Sequence, residues 1–130
     1  MDKRVKTTGC LVMLLLVGVM SYWLCEVIRC EYLTGKHYGE FEYAYLSGTE
    51  IEKLEDLKVL HYSDHAAEVY YTEHGMASGN VVSYVRYGAE WVVSDWEILW
   101  DVWDEQRNPA QCVWPYLWDY IYAYSCENNA

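Results

Sequence analysis

The sequence predicts an α+β protein: an N-terminal membrane-anchor helix, then a small domain with a short helix and a four-stranded antiparallel meander sheet. Three observations lead to this fold class. The chain begins with an uncharged apolar stretch, residues 57–99 alternate with a period of two, and turn residues interrupt that alternation at short intervals. The chain has 130 residues, and the roughly 105 that follow the apolar stretch suffice for one small domain.

Residues 1–25 are expected to be a signal anchor or a signal peptide. Three basic side chains among the first six residues precede a stretch without charge that runs from residue 7 to residue 25. A basic flank followed by an apolar stretch is typical of an export segment. The positive flank places the N-terminus in the cytoplasm and everything after the stretch outside it. We therefore expect the chain to contact a membrane through residues 9–25.

An uncleaved anchor is favoured over a cleaved signal peptide. Cleavage requires small residues at positions −3 and −1, and the best match, after Ser21 with Val19 at −3, is weak. The uncharged stretch reaches the lower limit for a membrane span, about 17–19 residues. Tyr22 and Trp23 stand where interface aromatics would anchor such a span. The alternative is a secreted domain released by cleavage near Ser21.

The rest of the chain divides into three parts. Residues 26–48 contain glycines and acidic side chains and are expected to form a juxtamembrane linker. Residues 49–104 are expected to form the sheet domain, and residues 105–130 an aromatic-rich C-terminal tail that packs on the sheet. The Ser/Thr-x-x-Glu pattern that begins at Thr49 predicts a short helix to about Asp56.

Four strands are predicted after this helix. Their expected ranges are 57–63, 66–74, 80–87 and 90–99. Strict alternation places Leu57, Val59 and His61 together on one face of the first strand. In the fourth strand, the same rule places Val93 and Trp96 on opposite faces.

The stretch LKVLHYSDHAAEVYYTEHG and the following GNVVSYVRYGAEWVVSDWEI carry a family resemblance. A strand, a turn and a short Ala-x-Val strand lead into a long hairpin that closes with Gly88-Ala89-Glu90-Trp91. This pattern resembles the C-terminal sheet of the cystatin-like, nuclear transport factor-like superfamily. The resemblance implies helices packed on one curved antiparallel sheet. It is compatible both with enzymes and with non-catalytic binding modules.

The charge of the chain excludes one class of partner. After residue 25 there are six Lys and Arg against 19 Asp and Glu, a net charge of −13. Such a surface repels phosphate backbones, so no nucleic-acid partner is expected. Dinucleotide and phosphate-loop motifs do not occur in the sequence, and no cofactor is expected. We expect a non-catalytic module that binds an unknown protein, peptide or envelope ligand.

The alternative is a small pocket enzyme of cystatin-like fold. Its acid–base groups would be His61, Asp64 and Asp95, provided that the fold brings them together in one concave site. His65 follows His61 by four residues, but on a strand and turn this spacing does not aim both rings at one metal. No metal site is therefore expected.

The tail supplies the remaining candidates. Its aromatic side chains are expected to form part of the core or a platform for a ligand, and the candidates for binding are Trp114, Trp118, Tyr120 and Tyr124. Outside the cytoplasm disulfides persist, and Cys112 and Cys126 are the candidates for a bridge. Cys25 or Cys30 is the alternative partner, because connectivity does not follow from sequence.

Overall fold

One long helix and four strands are the main regular elements of the described residues, and residues 117–119 and 121 are also helical. The computed structural model describes residues 2–48, 54–73, 78–101, 111–119 and 121. The elements are α1 (Lys3–Gly48), β1 (Asp56–Tyr62), β2 (Ala66–Glu73), β3 (Ser78–Tyr87) and β4 (Glu90–Asp101). The strands form one antiparallel sheet in the order β1-β2-β3-β4. The predicted α+β class and the predicted meander are confirmed.

The first half of α1 is an apolar helix without protein cover. The helix has 46 residues and is about 69 Å long. The large apolar side chains between Leu11 and Leu24 are exposed, apart from the partly buried Trp23. By length and composition this part is able to cross a membrane. A helix that is apolar all round and lies outside the domain is typical of a membrane anchor or a signal sequence.

The second half of α1 corrects the expected linker at residues 26–48. The chain stays helical to Gly48 and buries four side chains against the sheet: Cys30, Thr34, Phe41 and Tyr45. Their spacings of four, seven and four residues put them on one side of a helix. Gly35 and Gly39 lie on the open side, where an added Cβ meets nothing within 4 Å. Each costs helix stability of about 1 kcal/mol, and the burial of two aromatic rings outweighs that cost.

Helix α1 closes the outer edge of β1. Cys30 packs on one face of the sheet and Phe41 on the other, so the helix crosses the edge obliquely. At the crossing, the Thr34 hydroxyl donates to the Cys30 carbonyl oxygen at 2.6 Å and accepts from the Val59 N–H at 2.9 Å. Unpaired N–H groups on an edge strand are a site for pairing with other chains. Here a helical side chain satisfies one of them.

The sheet has a core on each face. We call the face under Phe41 the helix face; its buried side chains are Leu57, Val59, Ala67, Val69, Tyr71, Val82 and Tyr84. We call the other the tail face; its buried side chains are Leu60, Tyr70, Val81, Leu99 and Trp100. Val113 and Tyr116 of the returning chain pack on the tail face together with Cys30. Residues 111–119 therefore cover one end of this second core.

The sheet contains three register shifts, and those at Leu60 and Ser94 overturn the side-chain directions that strict alternation predicts. An extra residue shifts the register of a strand by one and sends each later side chain to the other face. In β1 the extra residue is Leu60, which puts His61 on the tail face. In β4 the extra residue is Ser94, and Val93 and Trp96 consequently share the helix face.

The short helix expected from Thr49 lies mostly outside the described residues, which resume at Leu54. Asp56, its expected end, is the first residue of β1. The boundaries of β1 and β2 otherwise agree with the predicted strands to within one residue.

We expect Thr34→Val to lower the free energy of unfolding by about 1–2 kcal/mol, because the buried Val59 N–H loses its acceptor while the side-chain volume is kept. Urea unfolding of the full-length protein in detergent micelles, followed by tryptophan fluorescence, measures this loss. The control is Thr8→Val, which removes an exposed hydroxyl that bonds to the Arg4 carbonyl oxygen of its own helix. Equal effects of the two substitutions would show that the edge bond does not stabilise the domain.

Candidate functional site

The tail encloses a small cleft where it returns over the sheet. This tail cleft has a volume of about 220 Å³ and lies between the first residues of β1 and the segment after Pro115. Its lining is half polar: Asp56, Leu57, Lys58, Tyr70, Thr72, Tyr116, Trp118 and Asp119. A cleft of this kind is a candidate active site if its polar groups are available to a substrate.

The charged groups at one side of the tail cleft are bound to one another. Lys58 Nζ lies 2.8 Å from Glu31 Oε1 and 3.8 Å from Asp56 Oδ2. The Tyr116 hydroxyl donates to the same Glu31 oxygen at 2.8 Å. Glu31 therefore links helix α1, strand β1 and the tail.

The surroundings keep both members of this ion pair charged. Burial works to raise the pKa of Glu31, but the hydrogen bonds from Lys58 and Tyr116 outweigh it and hold that pKa below its ordinary value. Burial works to lower the pKa of Lys58, but Glu31 and Asp56 outweigh it and raise that pKa. A Lys whose proton is held in this way is a poor general base.

The other side of the cleft is also paired. The Tyr70 hydroxyl donates to Asp119 Oδ2 at 2.8 Å. Burial raises the pKa of Asp119, and the charge of Asp56 adds to the rise, although the Tyr70 hydrogen bond and Lys58 act in the opposite direction. Burial and Asp119 also raise the pKa of the Tyr70 hydroxyl. The polar groups of the cleft therefore bind to one another and connect the helix, the sheet and the tail.

We expect Asp119→Asn to stabilise the protein relative to wild type increasingly as the pH rises. An acid whose pKa is raised by folding contributes stability that is fully present below the unfolded-state pKa, about 4, and lost as the pH rises through the folded-state pKa. The amide carries no charge, so it escapes this loss and still accepts the Tyr70 hydrogen bond. Unfolding free energies of both proteins at pH 4 and pH 7 give the comparison.

The control for this pH effect is Asp64→Asn, the same change at an exposed position in the turn between β1 and β2. Its effect on stability is expected to be small at both pH values. A difference between Asp119→Asn and wild type that stays constant or shrinks from pH 4 to pH 7 would contradict the expected result.

The structure does not bring His61, Asp64 and Asp95 together. His61 pairs with Glu68, Glu68 with Ser83, and Ser83 with Asp95, which places His61 and Asp95 in one row across four strands. Three strand spacings separate them by about 14 Å, and Asp64 lies in a turn. All three side chains are exposed. Acid–base chemistry needs groups within hydrogen-bond reach of one reacting atom, and this row does not supply them.

Metal-ligating side chains are dispersed as well. Across the described residues, no group of three or more His, Cys, Asp or Glu side chains is placed to hold a metal ion.

Two of the aromatic candidates of the tail contact α1 near the end of its apolar half. Trp114 stacks on Tyr22 with 6.0 Å between ring centres, and Trp118 meets Trp23 edge-on at 5.9 Å. Both tail tryptophans remain exposed on their other sides. Tyr120 and Tyr124 lie outside the described residues.

The expected disulfide stays a prediction. Cys112 is exposed and is not bonded to another described cysteine, while Cys126 lies outside the described residues. Cys30 is buried, with its Sγ 3.7 Å from the Leu60 carbonyl oxygen. The exposed Cys112 is therefore the accessible thiol on the tail side of the domain.

An exposed apolar row runs along the helix face of β4. Val93, Trp96 and Ile98 are 39%, 36% and 59% exposed, and we call them the β4 row. Val93 and Ile98 remain open because α1 lies mainly over the β1 side of this face, while Tyr45 of α1 partly covers Trp96, with 5.5 Å between the ring centres. The helix approaches β4 with Phe41, whose ring centre lies 5.2 Å from that of Trp91.

A groove continues the β4 row toward the β3–β4 turn. Its volume is about 400 Å³, and it lies between the last turns of α1 and the start of β4. Its lining residues are Glu40, Tyr43, Ala44, Ser47, Ala89, Glu90 and Trp91. The Trp91 indole N–H donates to Glu40, which fixes the wall of the groove to the helix.

Strand β4 is also an edge. In the described sheet its one neighbour is β3, and the Gln111 N–H donates to the Leu99 carbonyl oxygen at 3.0 Å near its end. Over residues 90–98, the part of the chain that the structure describes places no strand on the outer side. The strand carries four acidic side chains and no Lys or Arg. An open edge beside an apolar row is suited to accept an added strand.

Sequence reasoning missed this surface because a bulge creates it. Without the extra residue at Ser94, Val93 and Trp96 would lie on opposite faces and no row would form. The expected linker at residues 26–48, which is helical throughout, had a usable signal in the spacing of Cys30, Thr34 and Phe41. Its glycines obscured that signal, because they are equally typical of loops.

Comparison of the chain with protein-family models, with curated proteins and with solved structures yields no match.

Proposed function

We propose that the protein is a membrane-tethered, non-catalytic binding module whose domain lies outside the cytoplasm and binds an extended segment of a partner protein along β4. The β4 row beside an open strand edge is the observation that carries this proposal. Strand addition supplies main-chain hydrogen bonds, and an apolar row supplies contacts to alternate side chains of the added segment.

The charge of β4 favours a partner with basic residues. Glu90, Asp95 and Glu97 lie along the open stretch of the strand. Pairing two copies of this chain edge to edge would bring their acidic side chains together, and like charges across a strand pair are unfavourable. A neutral or basic extended segment avoids this repulsion, so we assign the edge to a different protein.

The tether is supported by the continuity of α1. The helix passes from its apolar half through Ser21 into the domain without a break. The Trp23 indole N–H donates to the Pro115 carbonyl oxygen at 2.8 Å, so the end of the apolar half is part of the folded domain. This favours an uncleaved anchor, and the basic N-terminal flank favours the outward orientation of the domain.

The absence of catalysis in this proposal is supported by the pairing within the tail cleft and the separation of His61 from Asp95. The cystatin-like relationship remains a proposal as well. It is supported by the order of the elements, a long helix followed by an antiparallel meander that it crosses.

Photo-crosslinking along β4 tests the binding surface. A photoreactive amino acid replaces Val93 or Ile98, and the matched control replaces Val92, which is 44% exposed on the other face of the same strand. In native membranes we expect Val93 and Ile98 to give one discrete adduct and Val92 to give little. A synthetic peptide with the crosslinked sequence should then compete with adduct formation. Equal adducts at all three positions, or none, would refute binding along the β4 row.

The exposed thiol of Cys112 tests the topology of the tether. In a variant with Cys25→Ser and Cys126→Ser, which leaves Cys112 no partner in the predicted bridge, a membrane-impermeant maleimide applied to intact cells is expected to label Cys112 before lysis. The intact mass of the labelled protein should correspond to the full chain. Labelling only after permeabilisation would place the domain in the cytoplasm, and a mass lacking the first residues up to Ser21 would show a released domain.

A further inference from the structure

We infer that the exposed side chains of residues 113–119 and 121 form a second membrane contact, which lies in the interfacial layer of the bilayer that α1 crosses. This inference rests on the proposed tether. It assigns the exposed aromatic side of the tail to lipid and not to a protein ligand.

The tail meets α1 at the end of the uncharged stretch of the helix. The uncharged stretch of α1 ends at Cys25, and Trp23 lies within its last turn. The hydrogen bond from Trp23 to the Pro115 carbonyl oxygen, 2.8 Å long, fixes the tail at this level. Tyr22 stacks on Trp114 at the same height. The tail therefore touches α1 where a span of about 30 Å meets the headgroup layer.

The side chains of the tail that point outward are large and apolar. Val113, Pro115 and Tyr116 are buried against the domain. The exposed side carries large apolar residues: Trp114 at 43%, Leu117 at 36%, Trp118 at 47% and Ile121 at 66%. Tryptophan is enriched at membrane–water interfaces, where its indole N–H remains near water and its ring lies among the upper acyl chains. An exposed apolar cluster of this kind marks a contact with another phase or molecule.

The charged side chains near the tail lie on its domain side. The Arg29–Glu26 ion pair, with 2.9 Å between Nη2 and Oε2, lies one turn beyond Trp23 on the domain side. Lys58, Glu31 and Asp119 lie behind Tyr116, also on the domain side of the tail. Polar groups thus lie above the aromatic cluster and the apolar span lies below it, as in a membrane interface.

The chemistry of the contact follows from these side chains. The domain has a net charge of −13 after residue 25, so attraction to anionic headgroups does not hold the tail on the surface. The tail is held there by burial of its indole and aliphatic side chains in the interfacial layer. Neutral phosphatidylcholine bilayers are therefore sufficient for the contact.

Depth measurement by electron paramagnetic resonance tests this inference. A nitroxide is attached to Leu117→Cys in the full-length protein, in which the other exposed cysteines and Cys126 are replaced by Ser and the buried Cys30 is kept. The protein is reconstituted in phosphatidylcholine vesicles. Collision rates with oxygen, which partitions into the bilayer, and with a polar nickel complex, which remains in water, report the depth of the label.

Two reference positions give the scale. The first is Leu15→Cys, in the apolar half of α1. The second is Tyr87→Cys, at the β3–β4 turn, where the Tyr87 side chain is 69% exposed. We expect the ratio of oxygen to nickel collisions at residue 117 to exceed that at residue 87 severalfold and to remain below that at residue 15, which lies near the middle of the span. The ratio should be the same at low and high salt, because the contact is apolar.

Two outcomes separate this inference from the tether. A bilayer-buried label at residue 15 together with a water-exposed label at residue 117 would overturn the lipid contact and leave the tether standing. A water-exposed label at residue 15 would overturn both.

Discussion

Phe41→Ala is expected to lower the free energy of unfolding by about 3–5 kcal/mol, the cost of emptying the site of a buried phenyl ring. Phe41 is fully buried on the helix face. Its ring centre lies 5.5 Å from that of Tyr84 and 5.2 Å from that of Trp91. Small domains are stable by about 5–15 kcal/mol. The loss of this one side chain therefore removes a large part of the stability that joins α1 to the sheet.

The matched control is Tyr43→Ala, two residues further along the same helix. Tyr43 is 76% exposed, so its removal leaves the core intact and should change stability by less than about 0.5 kcal/mol. Urea unfolding in micelles, followed by near-ultraviolet circular dichroism, compares the two variants. Similar losses would mean that the helix does not stabilise the sheet through this face.

Gly79→Val is expected to destabilise the protein by about 3 kcal/mol, the upper part of the range for overpacking a core. Gly79 pairs with Trp100 across β3 and β4. A Cβ at position 79 would lie 2.5 Å from Cζ2 of the Trp100 ring. That ring lies in the tail-face core, 6.0 Å from the ring centre of Tyr70, so it has little room to withdraw.

Two further variants make this result specific. Gly35→Val, on the open side of α1, meets nothing within 4 Å and should change stability by less than about 0.5 kcal/mol. Adding Trp100→Leu to Gly79→Val removes the clash and should restore part of the lost stability. If the double variant is no more stable than Gly79→Val alone, the close approach to Trp100 does not explain the loss.

Local patterns were sufficient to predict the elements of the sheet. Period-two alternation located all four strands, and Ser63-Asp64 and Gly88-Ala89 located two of the turns. Gly88 has a positive φ of 65°, the conformation that glycine adopts most readily. These signals act within a few residues, so they can be recognised without knowledge of the tertiary structure.

Side-chain direction could not be predicted in the same way. The bulges at Leu60 and Ser94 depend on how each strand fits its neighbour. The extra residue Leu60 moved His61 to the tail face, and the extra residue Ser94 brought Val93 and Trp96 to one face. The candidate binding surface follows from this shift, which strict alternation does not contain.

Contacts between distant parts of the chain could not be predicted from the sequence either. Residues 26–48 were expected to be a linker because their glycines and acids do not reveal which side of a helix meets a sheet. The bonds from Glu31 to Lys58 and Tyr116 join three separate segments. Local patterns carry no information about such long-range pairings.

Because α1 is continuous, a tilt of its apolar half moves the sheet as well. From Cys25 to Gly48 the helix is about 35 Å long, and it contains no hinge between its apolar half and the sheet it carries. A tilt of about 20°, ordinary for a single span, displaces the far end of this arm sideways by about 12 Å. The sheet turns with it through the same angle. In the proposed tether, the thickness of the bilayer contributes to that tilt and thereby to the direction in which β4 faces.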